Sequence, residues 1–331
     1  MSVPDPFGLP VAESDLGRLE EALRRVVIWG DPFVDEIATH LIAAGGKRLR
    51  PTLTLAAASK EGASVSEDAI LGAVAVELVH LASLYHDDVM DEATERRNVV
   101  SVNGRWGNLL AVVVGDFLLA RSAEIAAALG TEIAGILART LGRLTQGQVA
   151  EVRSVYRIDR TEDAYFAAIA DKTGALMATA CRIGAITGGL DRRDVDALTE
   201  YGENLGIVFQ IRDDILDVIA TQEEAGKLPG QDLSEGIYTL PVQRALADPR
   251  VGPELGALLG RPLGHDEVEL ARALVAECDA ITSARLVARR FAARASTAAS
   301  RLGDQNLGRA LSELGTRLVD DVERSTKALA S

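Results

Sequence analysis

Two short acidic runs carry the first chemical signal: His86-Asp87-Asp88-Val89-Met90-Asp91 and Arg212-Asp213-Asp214-Ile215-Leu216-Asp217. Both have the form D-D-x-x-D. On an α-helix, residues i and i+4 share a face with Cβ atoms about 5–6 Å apart. Asp87 therefore pairs with Asp91, and Asp213 with Asp217. Two carboxylates on one face repel unless a cation sits between them. Hard oxygen ligands so arranged suit Mg²⁺, which keeps waters and shares oxygens with a substrate phosphate. A solvated acidic face is the plainer reading of one such run. It weakens because the pattern occurs twice, about 126 residues apart, and because each run closes an apolar stretch, 78–85 or 205–211. The expectation is a metal-binding set of Asp87, Asp88, Asp91, Asp213, Asp214 and Asp217 at the mouth of a cavity.

Acidic side chains with Mg²⁺ imply a polyanionic ligand, so cations should stand nearby. Gly45-Gly46-Lys47-Arg48-Leu49-Arg50-Pro51 puts three bases at a helix junction. The glycines suit a helix end, and Pro51 suits the first turn of the next helix. Backbone N–H groups at that start, beside Lys47 and Arg50, form an anion hook. Arg96-Arg97 follow the first acidic run. The chain holds only five lysines among its 35 basic residues. Three of them stand in Gly46-Lys47, Asp171-Lys172-Thr173 and Gly226-Lys227-Leu228, which suggests a use for compact point charges there.

These residues need a scaffold. The chain has 331 residues, 47% hydrophobic and 25% charged, with only 4% aromatics and a formal charge of −14. That length can bury a sizeable core. The acidity argues against a nucleic-acid scaffold, which needs a strong basic field. Ala, Leu, Arg and Glu dominate, and apolar residues recur at three- and four-residue spacing over 16–27, 70–84, 109–129, 133–152 and 280–302. No hairpin signal or fixed repeat is read. The expectation is one all-α domain, 1–331, a bundle of ten or more helices with the most apolar ones inside. Residues 1–12 are expected to be loose. The start, MSVPDPFGLP, has no signal-peptide pattern, and uncharged runs of about ten residues fall short of the roughly 18 that span a bilayer. Two cysteines form no disulfide framework, so a reduced, cytoplasmic setting is expected.

In this order the motifs resemble the trans-isoprenyl diphosphate synthases, the polyprenyl synthetase family. The likeness rests on GGKRLRP at 45–51, DDVMD at 87–91 with Arg96-Arg97, Gly147-Gln148, Lys172-Thr173, Phe209-Gln210 before DDILD at 213–217, and GKLPGQDLSEGIYTLP at 226–241. It implies an isoprenoid synthase-like all-α bundle around a deep central cavity, commonly a homodimer. It implies a Mg²⁺-dependent prenyltransferase that condenses isopentenyl diphosphate onto an allylic diphosphate. On this resemblance Asp87, Asp91 and Asp213 match the ligands of three Mg²⁺ ions, with Asp88, Asp214 and Asp217 in support. Arg96, Lys172 and Lys227 match allylic-diphosphate contacts, and Lys47, Arg50, His80 and Arg97 the isopentenyl diphosphate site. Thr173 and Gln210 match residues facing the developing carbocation. Ile237 departs from the family, which often has lysine there, and 98–103 lacks the usual Gly and Pro.

The chemistry is coherent. Breaking an allylic C–O bond puts charge on the leaving diphosphate, which cations stabilise as it grows. The cation left behind needs a dry pocket. No side-chain nucleophile or redox cofactor is required. The growing tail runs down the helix from Asp87. Ser83 and Ala82 lie about 6 to 7.5 Å below the metal level and Val79 about 12 Å. All three are small or modest, so the floor is open and the product is expected to exceed twenty carbons. The alternative is that another helix supplies the floor, which gives a geranylgeranyl or farnesyl diphosphate synthase. Glu77-x-x-His80 has di-iron spacing but occurs once. A terpene cyclase would not need the 45–51 hook. A non-catalytic partner subunit of a heteromeric synthase would tend to lose the aspartates that are intact here.

Overall fold

The computed structural model describes residues 7–60, 63–220 and 229–329, with backbone alone at 323 and 325–329. Its regular structure is almost wholly helical. In chain order, the first half holds α1 (Glu13–Val26), α2 (Pro32–Ala43), α3 (Leu49–Ala58), α4 (Glu67–Met90), α5 (Val102–Trp106), α6 (Asn108–Leu129) and α7 (Thr131–Val152). Then come α8 (Glu162–Ile169), a π-helical turn (Ala170–Gly174), α9 (Ala175–Thr187) and α10 (Arg192–Ile219). The rest holds α11 (Gln231–Ser234), α12 (Leu240–Leu246), α13 (Gly252–Leu258), α14 (His265–Glu277), α15 (Ala280–Ala299) and α16 (Gln305–Leu329). The long apolar-periodic stretches of the sequence are these helices. Local signals start several of them. Asp31 caps α2 by accepting from Phe33 N at 2.9 Å, with Pro32 at its first position. Ser66 caps α4 by accepting from Ala69 N at 3.2 Å.

The contacts resolve two compact units with interleaved segments. Unit 1 holds residues 1–142, 176–202 and 301–310; unit 2 holds 143–175, 203–300 and 311–331. In unit 1, α4 is central and packs on α6, α3, α1 and α5. Its buried positions run on every face, from Ala69 to Asp88. This is also the one described helix long and apolar enough to cross a bilayer, which a count of uncharged runs misses because Glu77 interrupts it. Most of that stretch is buried against neighbouring helices. The antiparallel run of α6 on α4 shows in two contacts: Ser122 Oγ donates to Ala75 O at 2.7 Å, and Gly115 lies against the His86 ring.

Two expectations change here. A hairpin exists: Glu95–Arg96 (β1) pairs antiparallel with Val99–Val100 (β2). Arg97 and Asn98 turn it with φ of 55° and 61°. Positive φ at both central residues is the tight turn whose twist suits a hairpin. Strands of two residues leave no alternation to read. Second, α6 is apolar all round yet not interior. It buries Ala111, Val114, Gly115, Leu118, Ser122 and Ala126, while Leu109, Val112 and Val113 are exposed, Leu109 by 77%. As for the start of the chain, Phe7 and Leu9 are buried and Ser59 Oγ donates to Pro10 O at 2.8 Å, which fixes 7–10; residues 1–6 lie outside the described ones.

In unit 2, α8 runs directly into the π turn. There α12 packs on α15, α13 and α14, and α11 packs on α14.

Candidate active site

Both acidic runs fall at C-terminal ends of long helices. The first closes α4, with Asp91 as its capping residue. The second occupies the last turns of α10. A helix C-terminus carries partial negative charge, so an acidic group there costs about 0.3–1 kcal/mol. Local stability therefore does not account for the aspartates; a bound cation would remove the penalty.

In the first cluster Asp88 is wholly buried, Asp87 half-buried and Asp91 exposed. Asp88 Oδ1 accepts from Arg96 Nε at 2.7 Å and lies 2.6 Å from Arg96 Nη2. Burial raises the Asp88 pKa, and Arg96 works against that rise. Its Oδ2 is buried with no hydrogen-bond donor among the described residues. The hairpin that carries Arg96 is laced to the helix end: Asn103 Nδ2 donates to the carbonyls of Asp88 at 2.9 Å and Ala93 at 3.0 Å.

The 45–51 hook divides its three bases. Arg48 turns inward, donating to Glu20 Oε1 at 2.6 Å, Glu77 Oε1 at 2.9 Å and Ile42 O at 3.1 Å. It is thereby a structural cation, and Glu77 is its counter-ion rather than a metal ligand. Lys47 remains exposed and Arg50 half-buried. Arg97 Nη1 donates to Leu41 O at 3.0 Å and to Gly45 O. Its guanidinium fills the space a Cβ on Gly46 would need, 2.8 Å from Cζ, which explains that glycine. Arg97 thus buckles the hairpin to the loop bearing Lys47. His80 is held well below the ordinary histidine range, first by burial and then by the charges of Arg50, Arg97, Arg48 and Arg96. Four guanidinium groups gathered near a neutral imidazole favour an anion.

The second cluster uses neutral donors. Asp214 is buried, and its Oδ2 accepts from the Tyr165 hydroxyl. Its Oδ1 accepts from Gln210 Nε2 at 2.8 Å, and Gln210 Oε1 accepts from Thr173 Oγ1 at 2.8 Å. Burial pushes Asp214 up to about 7 against the Tyr165 and Gln210 hydrogen bonds, with the charges of Asp213 and Glu151 adding to the rise. Asp213 accepts from Arg212 Nη1 at 2.8 Å. Asp217 Oδ2 accepts from Asp232 N at 3.0 Å, and its carbonyl from Gly230 N at 2.8 Å. The 229–232 segment so folds back on the acidic run. Lys227 lies outside the described residues.

Lys172 and Thr173 sit in the π turn, a feature that recurs at functional sites because it re-aims side chains. Two close approaches position it. A Cβ on Gly206 would lie 2.6 Å from Gly174 Cα, so α10 can lie against the turn and bring Gln210 to Thr173. A Cβ on Gly147 would lie 2.7 Å from Lys172 N, so α7 does the same and brings Glu151, one turn on, into an ion pair with Lys172. At the divergent position, Ile237 N donates to Asp232 O at 2.8 Å, and the Tyr156 ring covers Gly236. Of the floor residues, Val79 and Ala82 are wholly buried, and Ser83 Oγ donates to His80 O at 2.8 Å. Sequence reasoning missed Tyr165, Glu151 and Arg96's grip on Asp88. Tyr165 had a signal, a hydroxyl-bearing aromatic two turns before Lys172 on one helical face.

The residues fit a hard divalent cation: the donors are carboxylate oxygens, and Asp88 Oδ2 is buried with no donor. Among the described residues no three His, Cys, Asp or Glu side chains converge to hold a metal alone. Residues 31–275 match the profile of the family described as polyprenyl synthetase. The chain belongs to the polyprenyl synthetase family. Membership makes it a prenyltransferase. Nonaprenyl diphosphate synthase of Mycobacterium tuberculosis is 38% identical over 307 residues, 90% of each chain. Heptaprenyl diphosphate synthase component 2 of Geobacillus stearothermophilus is 41% identical over 245 residues, 74% of this chain and 76% of that one. A polyprenyl synthase from Caulobacter crescentus, solved with calcium and isoprenyl diphosphate, superposes with a TM-score of 0.89 at 34% identity, covering 96% of this chain and 98% of that one. The isoprenoid synthase all-α fold of these polyprenyl synthetases is the fold expected from the motifs.

Proposed function

We propose that the chain is a long-chain trans-polyprenyl diphosphate synthase, adding isopentenyl diphosphate head to tail to an allylic diphosphate, with a product beyond twenty carbons. The observation that carries this is the pair of aspartate clusters at helix C-termini, each with a buried carboxylate at its centre. Relatives named for nonaprenyl and heptaprenyl products support the length. Asp87, Asp91 and Asp213 would hold Mg²⁺, three ions per site, with Asp88, Asp214 and Asp217 behind them, neutralising the diphosphate as it leaves. Because no three His, Cys, Asp or Glu side chains converge among the described residues, diphosphate oxygens would complete the ions' coordination, as suits Mg²⁺.

The chain's own groups do the rest. Arg96, Lys172 and Lys227 bind the allylic diphosphate. Lys47, Arg50 and Arg97 bind the isopentenyl diphosphate, with neutral His80 adding an N–H. Thr173 and Gln210 present oxygen dipoles to the developing cation, and Asp214 fixes the Gln210 amide. The apolar surroundings exclude water from the cation. The small residues Val79, Ala82 and Ser83 admit a long tail. A second reading, a geranylgeranyl or farnesyl diphosphate synthase, is favoured by the complete burial of Ala82 in the unit 1 core with Leu81 and Leu118.

The assembly proposed is a homodimer through α6. A helix apolar on all sides belongs inside, and its open face of Leu109, Val112 and Val113 suits a second copy. Trp29, stacked on Phe117 at 4.8 Å and itself 64% exposed, extends that face. Both cysteines are free and buried, which suits a reducing, cytoplasmic setting.

Incubation with Mg²⁺, isopentenyl diphosphate and geranyl, farnesyl or geranylgeranyl diphosphate, read by mass spectrometry, tests the reaction. Products longer than twenty carbons are expected, and no elongation from any starter overturns the reading. Ala82→Phe should shorten the product; an unchanged distribution places the floor elsewhere.

A further inference from the structure

Glu151 works against the role given to Lys172. It holds the ammonium that is meant for a diphosphate, and the pair is substantially buried, the two side chains 17% and 32% exposed. Once Lys172 turns to a ligand, Glu151 is left as an unbalanced anion near Asp214. Removing one partner of a buried pair is costly because the other charge stays desolvated. Transfer of Lys172 therefore needs a replacement cation at Glu151.

Arg160 is placed for this. Its guanidinium makes no side-chain hydrogen bond and no ion pair among the described residues. It lies over the Tyr165 ring, 5.6 Å from the centroid, and that ring's hydroxyl donates to Asp214. The turn leading to it is anchored, with Tyr156 N donating to Gly236 O at 2.8 Å and Arg160 N to Arg157 O at 3.3 Å. Burial lowers the guanidinium pKa, and Glu151, ahead of Tyr165 and Asp214, is the group that opposes the lowering. Lys172, the other cation at Glu151, is already engaged, and Arg212 is occupied by Asp213 and Asp321.

We propose that Glu151 and Arg160 act as an exchange pair for Lys172: Glu151 holds the ammonium in the ligand-free protein, and Arg160 takes over Glu151 when a diphosphate draws the ammonium away. Both are positioning residues, and the inference rests on the assignment of Lys172 to the allylic diphosphate. It makes the two side chains energetically dependent. Arg160→Gln should raise the KM for the allylic diphosphate about five- to tenfold, and Glu151→Gln should lower it severalfold. With Glu151→Gln in place, Arg160→Gln should have no further effect, because no anion remains to be neutralised. The KM for isopentenyl diphosphate should not move, and Arg160→Lys should restore most of the affinity.

The experiment is this double-mutant cycle, run twice: on steady-state kinetics, and on calorimetric binding of inorganic pyrophosphate with Mg²⁺ to each variant, with circular dichroism confirming the fold. Equal effects of Arg160→Gln in both backgrounds would show a direct contact with the diphosphate and overturn the exchange. A fall in kcat and melting temperature with no change in KM or pyrophosphate affinity would show a purely structural role and overturn it too. A wild type that elongates nothing sinks the synthase reading, and the pyrophosphate cycle then judges the exchange by itself.

Discussion

The two aspartate clusters share one spacing and differ in how their buried member is kept. Asp88 is matched by a full charge, the Arg96 guanidinium of the hairpin, two nitrogens of which lie on its Oδ1. Asp214 is matched by neutral dipoles, Tyr165 and Gln210, and burial lifts it to about 7. The first cluster is therefore close to charge balance at its core, and it sits in the same unit as the guanidinium groups around His80. The second holds its buried carboxylate with neutral donors alone, while Lys172, in the turn beside Thr173, is paired with Glu151. The lesson is that a repeated motif does not imply a repeated environment. Two sites with one ligand pattern can differ in what a cation gains on arrival.

The largest test removes the acids themselves. Asp87→Ala and Asp213→Ala should each lower kcat by about a thousandfold or more while melting temperatures hold. Normal turnover by either variant would leave only one cluster in play and end the comparison. Next comes the contrast in neutralisation. Arg96→Ala leaves a buried carboxylate with no cation and should destabilise by about 3–5 kcal/mol. Tyr165→Phe removes one hydrogen bond and should cost about 1–3 kcal/mol. Denaturant unfolding orders the two, and the reverse order would erase the distinction. Lys47→Ala should raise the KM for isopentenyl diphosphate about tenfold, as for a lost charge-assisted bond. A larger rise for the allylic substrate would exchange the two proposed subsites.

The smallest effect is in pH dependence. His80 has a folded pKa below its unfolded value, so the unfolded chain binds the proton first. Its contribution to stability is present above the unfolded pKa, about 6.5, and is lost as pH falls from there through the lower folded pKa. His80→Gln should therefore shrink the drop in melting temperature between pH 7.5 and 5.5. An identical drop would place the imidazole outside the arginine-rich surroundings described.

Much of the candidate site was legible because it is local. The i,i+4 carboxylates, Gly45-Gly46 ahead of a helix and Lys172-Thr173 are readable within one turn. Arg48 stands between Lys47 and Arg50 with no role that spacing could give it, because Glu20 and Glu77 claim it from other helices. The hairpin at 95–100 was invisible because its register comes from a two-residue turn with positive φ, not from alternating side chains. The open face of α6 was invisible too, since an all-round apolar helix reads as interior whichever surface covers it.

By itself the sequence determined the helical class, the two acidic runs and the basic residues beside them, since backbone periodicity sets those within a few residues. Tertiary structure alone decided the partners: Arg48 with Glu77, Lys172 with Glu151 and Tyr165 with Asp214, pairs 29, 21 and 49 positions apart. Spacing along a chain reports which residues share a face. It carries no record of which faces meet, and burial with hydrogen bonding then settles which charges are balanced and which wait for a ligand.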